Sequence, residues 1–196
     1  MGGCGSGNFR PHMATVESCL CLDLLPLVWL RAVQANARRQ GTIVWPAGAH
    51  RDYAATIGYA VDTTGKPAMQ LTYGYQCLEE MAPAEQLEQL AYRVRLVTTP
   101  LHYGGVKWWF ACPLVRNGVA CAQRVRQLYL APTQRYFGCK RCLHLTYESR
   151  RNPEARAVKE WPAVTVEFSD RSEARVLRGL RRFVEARQQE PHAERR

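Results

Sequence analysis

The sequence predicts an α+β fold: two short N-terminal helices, an antiparallel sheet, an embedded hairpin module that carries four cysteines, and a C-terminal amphipathic helix. Three observations predict it. Runs rich in β-branched and aromatic residues alternate in polarity between residues 42 and 97. Four of the chain's eight cysteines fall between Cys112 and Cys142. Apolar residues recur at helical spacing before the first of those runs and again after residue 170.

Taken in order, residues 1–14 read as a flexible arm, because four glycines with Ser6 and Asn8 offer too little apolar surface to offset ordering entropy. Thr15 predicts an N-cap, with Glu17 in the first turn of a helix that runs to about Leu24. Pro26 suits the first turn of a second helix, in which Leu27, Leu30 and Val33 share a face and Arg38 and Arg39 occupy the last turn before Gly41. The runs "TIVWP" from Thr42, "YAATIGYAVD" from Tyr53 and "AMQLTYGYQ" from Ala68 then read as an antiparallel meander, with "TTGKP" as a turn. The acidic "LEEMAPAEQLEQ" reads as a loop and short helix, and "AYRVRLVTTP" as another strand.

Residues 15–100 thus form a helical pair plus sheet, and residues 101–149 the cysteine module. Residues 150–190 follow, with a strand at "AVTVEF" and a helix capped by Asp170 with Glu173 three residues on. Val176, Leu177, Leu180, Phe183 and Val184 form the apolar stripe of that helix; Arg171, Arg175, Arg178 and Arg182 line its other side. Residues 191–196 form a frayed tail.

The start, "MGGCGSGNFRPHM", has no apolar leader core, and no later apolar run is long enough to cross a bilayer, so a cytoplasmic location is expected. In a reducing compartment, clustered cysteines serve metals or redox chemistry more often than disulfides. "CKRC", Cys139 to Cys142, has the spacing with which a tight backbone turn wraps a metal ion. Cys112 and Cys121 enclose "PLVRNGVA", whose Pro113 and Asn117-Gly118 supply turn chemistry for a longer loop. Between the pairs, "AQRVRQLYLAPTQRYFG" reads as strand, Pro132 turn, strand. Two cysteine pairs joined by a hairpin describe a zinc ribbon, with Zn2+ held by Cys112, Cys121, Cys139 and Cys142. Buried or redox-active thiols are the competing reading, and His144 is a cramped substitute ligand. Cys19, Cys21 and Cys77 read as core thiols, and Cys4 has no assigned role.

The segments "MGGCGSG", "TVESCLCLDL", "HYGGVKWWFACP", "RVRQLYL" and "YFGCKRCLHLTYES" together resemble a family of uncharacterised bacterial proteins, frequent near mobile elements, that open with MGGxGSG and carry a central four-cysteine block. The resemblance covers the N-terminus and the centre. It implies a metal site on the same four cysteines and implies no activity. The first pair in that family is a C-P-x-C-G turn; here "CPLVRNGVAC" is longer.

The formal net charge is +10, and its distribution is uneven. Between Arg51 and Glu88 acids outnumber bases. From Gln89 to Tyr147 there is no Asp or Glu, while Arg93, Arg95, Lys107, Arg116, Arg124, Arg126, Arg135, Lys140 and Arg141 are all cationic. Such a block attracts polyanions. The sequence therefore predicts a nucleic-acid-binding protein or a subunit of a nucleoprotein complex. Its contacts would come from Arg93, Arg95, Lys107, Arg124, Arg126, Arg135, Lys140 and Arg141, with Arg175, Arg178 and Arg182 adding a helical stripe. Arg124 and Arg126 flank Val125 on a predicted strand and would share a face. The alternative is a protein-interaction adaptor or inhibitor, from a phage or mobile element, that docks on a nucleoprotein machine. No Walker loop, H-E-x-x-H, G-x-S-x-G or His–acid cluster is present, so no catalytic residue is assigned.

Overall fold

The computed structural model describes residues 14–45, 55–75, 88–132, 134–150 and 163–167. These are 51% strand and 8% helix, with no helix of 7 or more residues. The α+β expectation is therefore corrected to a mostly β architecture.

The first predicted N-terminal helix gives way, and the second is cut to six residues. Thr15 accepts a hydrogen bond from the Ser18 amide through Oγ1 (3.3 Å), and the Ser18 hydroxyl donates back to the Thr15 carbonyl (2.9 Å), closing a turn in place of a cap. The chain then extends as β1 (Leu20–Asp23), whose partner is β10 (Gln127–Leu130), antiparallel, with Leu20 opposite Leu130 and Asp23 opposite Gln127. Asp23 is the actual cap, accepting from the Leu25 amide at 2.9 Å to start the six-residue α1 (Leu24–Trp29). Left-handed Arg31 (φ 56°) ends it, and Arg38 and Arg39, expected in a last helical turn, open a strand instead. The predicted C-terminal helix, residues 78–87 of the acidic segment and residues 1–13 of the N-terminal arm lie outside the described residues, while Glu88 and Gln89, read as the end of the acidic segment, open a strand.

The strands follow the expected alternation. β2 (Arg38–Trp45), β3 (Ala55–Asp62), β4 (Ala68–Tyr75) and the long β5 (Glu88–Pro100) form an antiparallel meander. The first part of β5 pairs with β4 up to Arg95. The remainder, from Leu96, pairs with β6 (Val106–Ala111), which in turn pairs with the two-residue β9 (Arg124–Val125). The predicted "AVTVEF" strand is present as β11 (Ala163–Glu167), on the outer edge of β2. The seven strands run in the order β11-β2-β3-β4-β5-β6-β9.

One face of this sheet is apolar: Ile43 and Trp45, Ile57 and Val61, Met69 and Leu71, Val94 and Leu96, and Phe110 are all buried. Leu22, Leu24, Leu27 and Val33 from the N-terminal segment cover it, and Leu128, Phe137 and Cys139 from the cysteine module join the same cluster. At about 1.5–3 kcal/mol per fully buried large aliphatic or aromatic side chain, this shared core holds the module to the sheet. No helix among the described residues is long and apolar enough to cross a membrane.

Candidate metal centre

β6 ends by delivering Cys112 to the edge of the core. The eight residues after it form a small hairpin, β7 (Val115–Arg116) and β8 (Val119–Ala120), paired Val115 to Ala120 and Arg116 to Val119. Asn117 (φ 49°) and Gly118 (φ 76°) make its two-residue turn, which needs positive φ at both positions. This hairpin is how a loop longer than a tight cysteine turn still returns Cys121 to Cys112. The Cys121 amide donates to the Leu114 carbonyl (2.9 Å), and the Cys112 amide to the Gln123 carbonyl (3.0 Å), closing the base.

The second pair is set by the core. After β10 and the Pro132 turn, Gly138 bridges back to Tyr129 through reciprocal backbone bonds of 2.8 and 2.9 Å. Ahead of it, the Tyr73 hydroxyl donates to the Arg135 carbonyl (2.6 Å), and the Phe137 amide donates to the Tyr92 hydroxyl (3.0 Å). Burial holds both phenols above the usual tyrosine range, so they serve as neutral hydrogen-bonding groups. Phe137 stacks on Trp45 at 6.3 Å. Cys139 is therefore held on the core before any ligand is considered.

The two pairs converge. The ligand atoms of Cys112, Cys121, Cys139 and Cys142 lie within 4.8 Å of one another, with Sγ separations of 4.0 Å for Cys112–Cys142 and 3.9 Å for Cys121–Cys139. A tetrahedral ion with bonds of about 2.3 Å to sulfur needs edges of about 3.8 Å. No disulfide joins these four cysteines. Backbone amides point at sulfur, among them Cys139 N–H to Cys112 Sγ (3.3 Å) and Cys142 N–H to Cys139 Sγ (3.4 Å), donors that suit thiolates.

The thiol chemistry is uneven. Burial pushes Cys112 up to about 11, and burial with hydrogen bonds to Cys121 and Cys139 pushes Cys142 up as well. At Cys121, desolvation is outweighed by hydrogen bonds from the Gln123 backbone and the neighbouring thiols, and the thiol is drawn down. A divalent cation at the centre stabilises all four thiolates and removes this conflict. The four sulfurs thus have the geometry and the chemistry to hold a metal ion. They form the one such group among the described residues. His144 is exposed, lies against the Arg116 guanidinium and is not part of the group. Cys19 is buried as expected, donating to the Thr15 carbonyl.

The predicted cations separate into three sets. Arg93, Arg95 and Arg124 are exposed on strands of the seven-stranded sheet. Lys107, on β6, stands over the Trp109 ring at 4.3 Å; Lys140 stands over Tyr147 at 3.5 Å; Arg135 and Arg141 are exposed beside the second cysteine pair. Arg126 differs from its expected place beside Arg124. β9 ends at Val125, and Arg126 turns to the buried Asp23 carboxylate (3.3 Å), which Gln127 also contacts (2.7 Å). Arg175, Arg178 and Arg182 lie outside the described residues. Sequence reasoning missed Asp23, because its role depends on pairing with residues about a hundred positions away.

Compared with known proteins, the chain matches no family model, no curated protein and no solved structure.

Proposed function

We propose that this protein is a zinc-stabilised, non-catalytic β-sheet protein that binds nucleic acid, alone or within a nucleoprotein complex. Four thiols at near-tetrahedral spacing favour zinc among the divalent metals of cells, since thiolates select zinc over magnesium or calcium. The observation that carries the nucleic-acid reading is the acid-free stretch from Gln89 to Tyr147, whose cations, Lys140 apart, are exposed in the folded chain. Concentrated positive charge on a folded surface gives polyanion affinity through release of condensed counterions.

A second reading is supported by Val115 and Val119, 62% and 69% exposed on the hairpin between the first two cysteines. Exposed valines on a basic module suit an adaptor that docks on a protein.

The test is fluorescence anisotropy of zinc-loaded protein with 20-nucleotide DNA and RNA, single- and double-stranded, across a salt series. The nucleic-acid reading expects log Kd to rise linearly with log salt concentration. Absence of binding at low salt, together with a stable protein complex on pull-down, would establish the adaptor instead.

A further inference from the structure

The sheet face turned away from the core gathers the strand-borne cations into one band. Pairing sets Arg38 opposite Asp62, Asp62 opposite Ala68, and Ala68 opposite Arg95; the adjacent row runs Gln40, Ala60, Gln70, Arg93. The same face continues through the module. Leu96, Phe110 and Val125 are aligned on the core side, so Ala111 and its partner Arg124 share the facing of Arg95. At about 4.8 Å between neighbouring strands, the band from β2 to β9 spans roughly 24 Å. A basin of about 820 Å³ lies within it, lined by Arg38, Gln40, Ala60, Lys66, Gln70 and Arg93 among others.

Charge and shape point to one ligand chemistry. The acid in the band, Asp62, accepts from Thr64 and pairs with Arg38 at 3.0 Å; these contacts, Thr64 first, hold its carboxyl below the usual range. Arg38 balances that charge, which leaves Lys66, Arg93, Arg95 and Arg124 facing solvent without a matching acid in the band among the described residues of β2 to β9; the row beyond them reaches Glu167 of β11, opposite Gln40. The floor is Ala60, Ala68, Gln70 and Thr72, with Gly58 beside them, so a ligand backbone approaches closely. Aromatic stacking surface is lacking there: Trp109, at one side of the face, is half-buried beneath Lys107. A stacking platform for bases needs exposed rings.

We propose that this face is a phosphate track: the sugar–phosphate backbone of a nucleic acid crosses the strands from Lys66 to Arg124 and is held by charge, without readout of the bases. The proposal rests on the nucleic-acid reading above and adds the surface and the mode of recognition.

Anisotropy with fluorescein-labelled dT20 and dA20 tests it, using two double variants. Arg93→Ala with Arg95→Ala removes the centre of the track; Arg116→Ala with Arg141→Ala removes exposed charge at the cysteine module. The track variant should weaken binding more than tenfold and lower the log–log salt slope by about 1.4, at roughly 0.7 per phosphate contact on a single strand. Arg93→Lys with Arg95→Lys should keep the slope, and the module variant, whose charges also belong to the basic block, should weaken binding at least threefold less than the track variant does. For the wild type, dT20 and dA20 should agree within threefold. If the module variant loses affinity while the track variant does not, or if one homopolymer binds tenfold tighter than the other, the track is wrong and nucleic-acid binding still stands. If the wild type binds neither oligonucleotide, nor any duplex or RNA, both readings fall.

Discussion

The two cysteine pairs reach the same point by different means. Cys139 is 1% exposed and belongs to the main core, with Phe137 packed on Trp45 and two tyrosine hydroxyls bonded to the backbone just before it. Cys121 is half-buried at the base of a hairpin whose pairing residues are all exposed. The second pair is thus preorganised by hydrophobic burial, which acts with or without an ion. In the first pair Cys112 is buried in the same core at the end of β6, whereas Cys121 and its hairpin close on local hydrogen bonds that exchange readily with water, so the position of Cys121 depends on what joins its sulfur to the core. A metal ion held by the four sulfurs would tether a loose half, Cys121 and its hairpin, to a fixed half that holds Cys112, Cys139 and Cys142.

The largest effect that would break this comparison comes from removing one sulfur at a time. Cys139→Ser removes a ligand from the fixed half and leaves a hydroxyl in the core, where its shorter side chain also weakens the bond from the Cys142 amide; loss of cooperative unfolding is expected. Cys121→Ser should reduce metal affinity while the sheet still melts cooperatively. Metal content and denaturant melts of the two variants decide the matter, and equal damage from both would erase the distinction.

Proton linkage sharpens it next. With the ion bound, the folded state holds four thiolates that the unfolded chain would protonate, so stability and metal are lost on acidification. Without the ion the sign reverses. Cys112, at about 11 against an ordinary 9.0, and the raised Cys142 keep their protons longer when folded, so their contribution is full below pH 9 and is lost as pH rises through 11. Cys121 opposes them with a single lowered thiol. Denaturant midpoints from pH 5 to 11, with and without chelator, should slope in opposite directions.

A smaller effect lies where the halves touch. A methyl added at Gly138 would stand 2.2 Å from Leu114 Cδ1 and 3.2 Å from Leu143 Cγ. Gly138→Ala should cost about 1–3 kcal/mol in metal-loaded protein, as overpacking does, and Leu114→Ala in the same chain should recover part of that loss. Additive losses would mean that the halves are not packed together there.

The smallest effect concerns Ala122, which follows Cys121 at φ 46° and carries the steric cost of the left-handed region. Ala122→Gly should raise stability by up to about 1 kcal/mol, the gain limited by glycine's greater freedom in the unfolded chain. It should also raise metal affinity, because the relief falls in the loose half. A loss of stability on thermal melting would contradict this.

The ligands were legible in the sequence because spacing within each pair and turn residues such as Asn117-Gly118 are local signals. The strands from Thr42 to Pro100 were legible because alternation is local too. The N-terminal region was not. "TVESCLCLDL" and the leucines after it satisfy a helical template, yet β1 exists only because β10 lies beside it, and no local pattern reports a partner so distant. The same blindness hid Arg38 as a neighbour of the strand cations, since a helix end and a strand start both accept an arginine. It also set Arg126 beside Arg124, when the buried Asp23 claims it.

X-ray absorption at the zinc edge, on protein purified with its metal, tests the central claim most directly. The account predicts one zinc per chain with four sulfur neighbours at about 2.3 Å and no nitrogen or oxygen in the first shell. A substoichiometric ion, or a shell containing a histidine nitrogen, would contradict the tether of Cys121 to Cys112, Cys139 and Cys142.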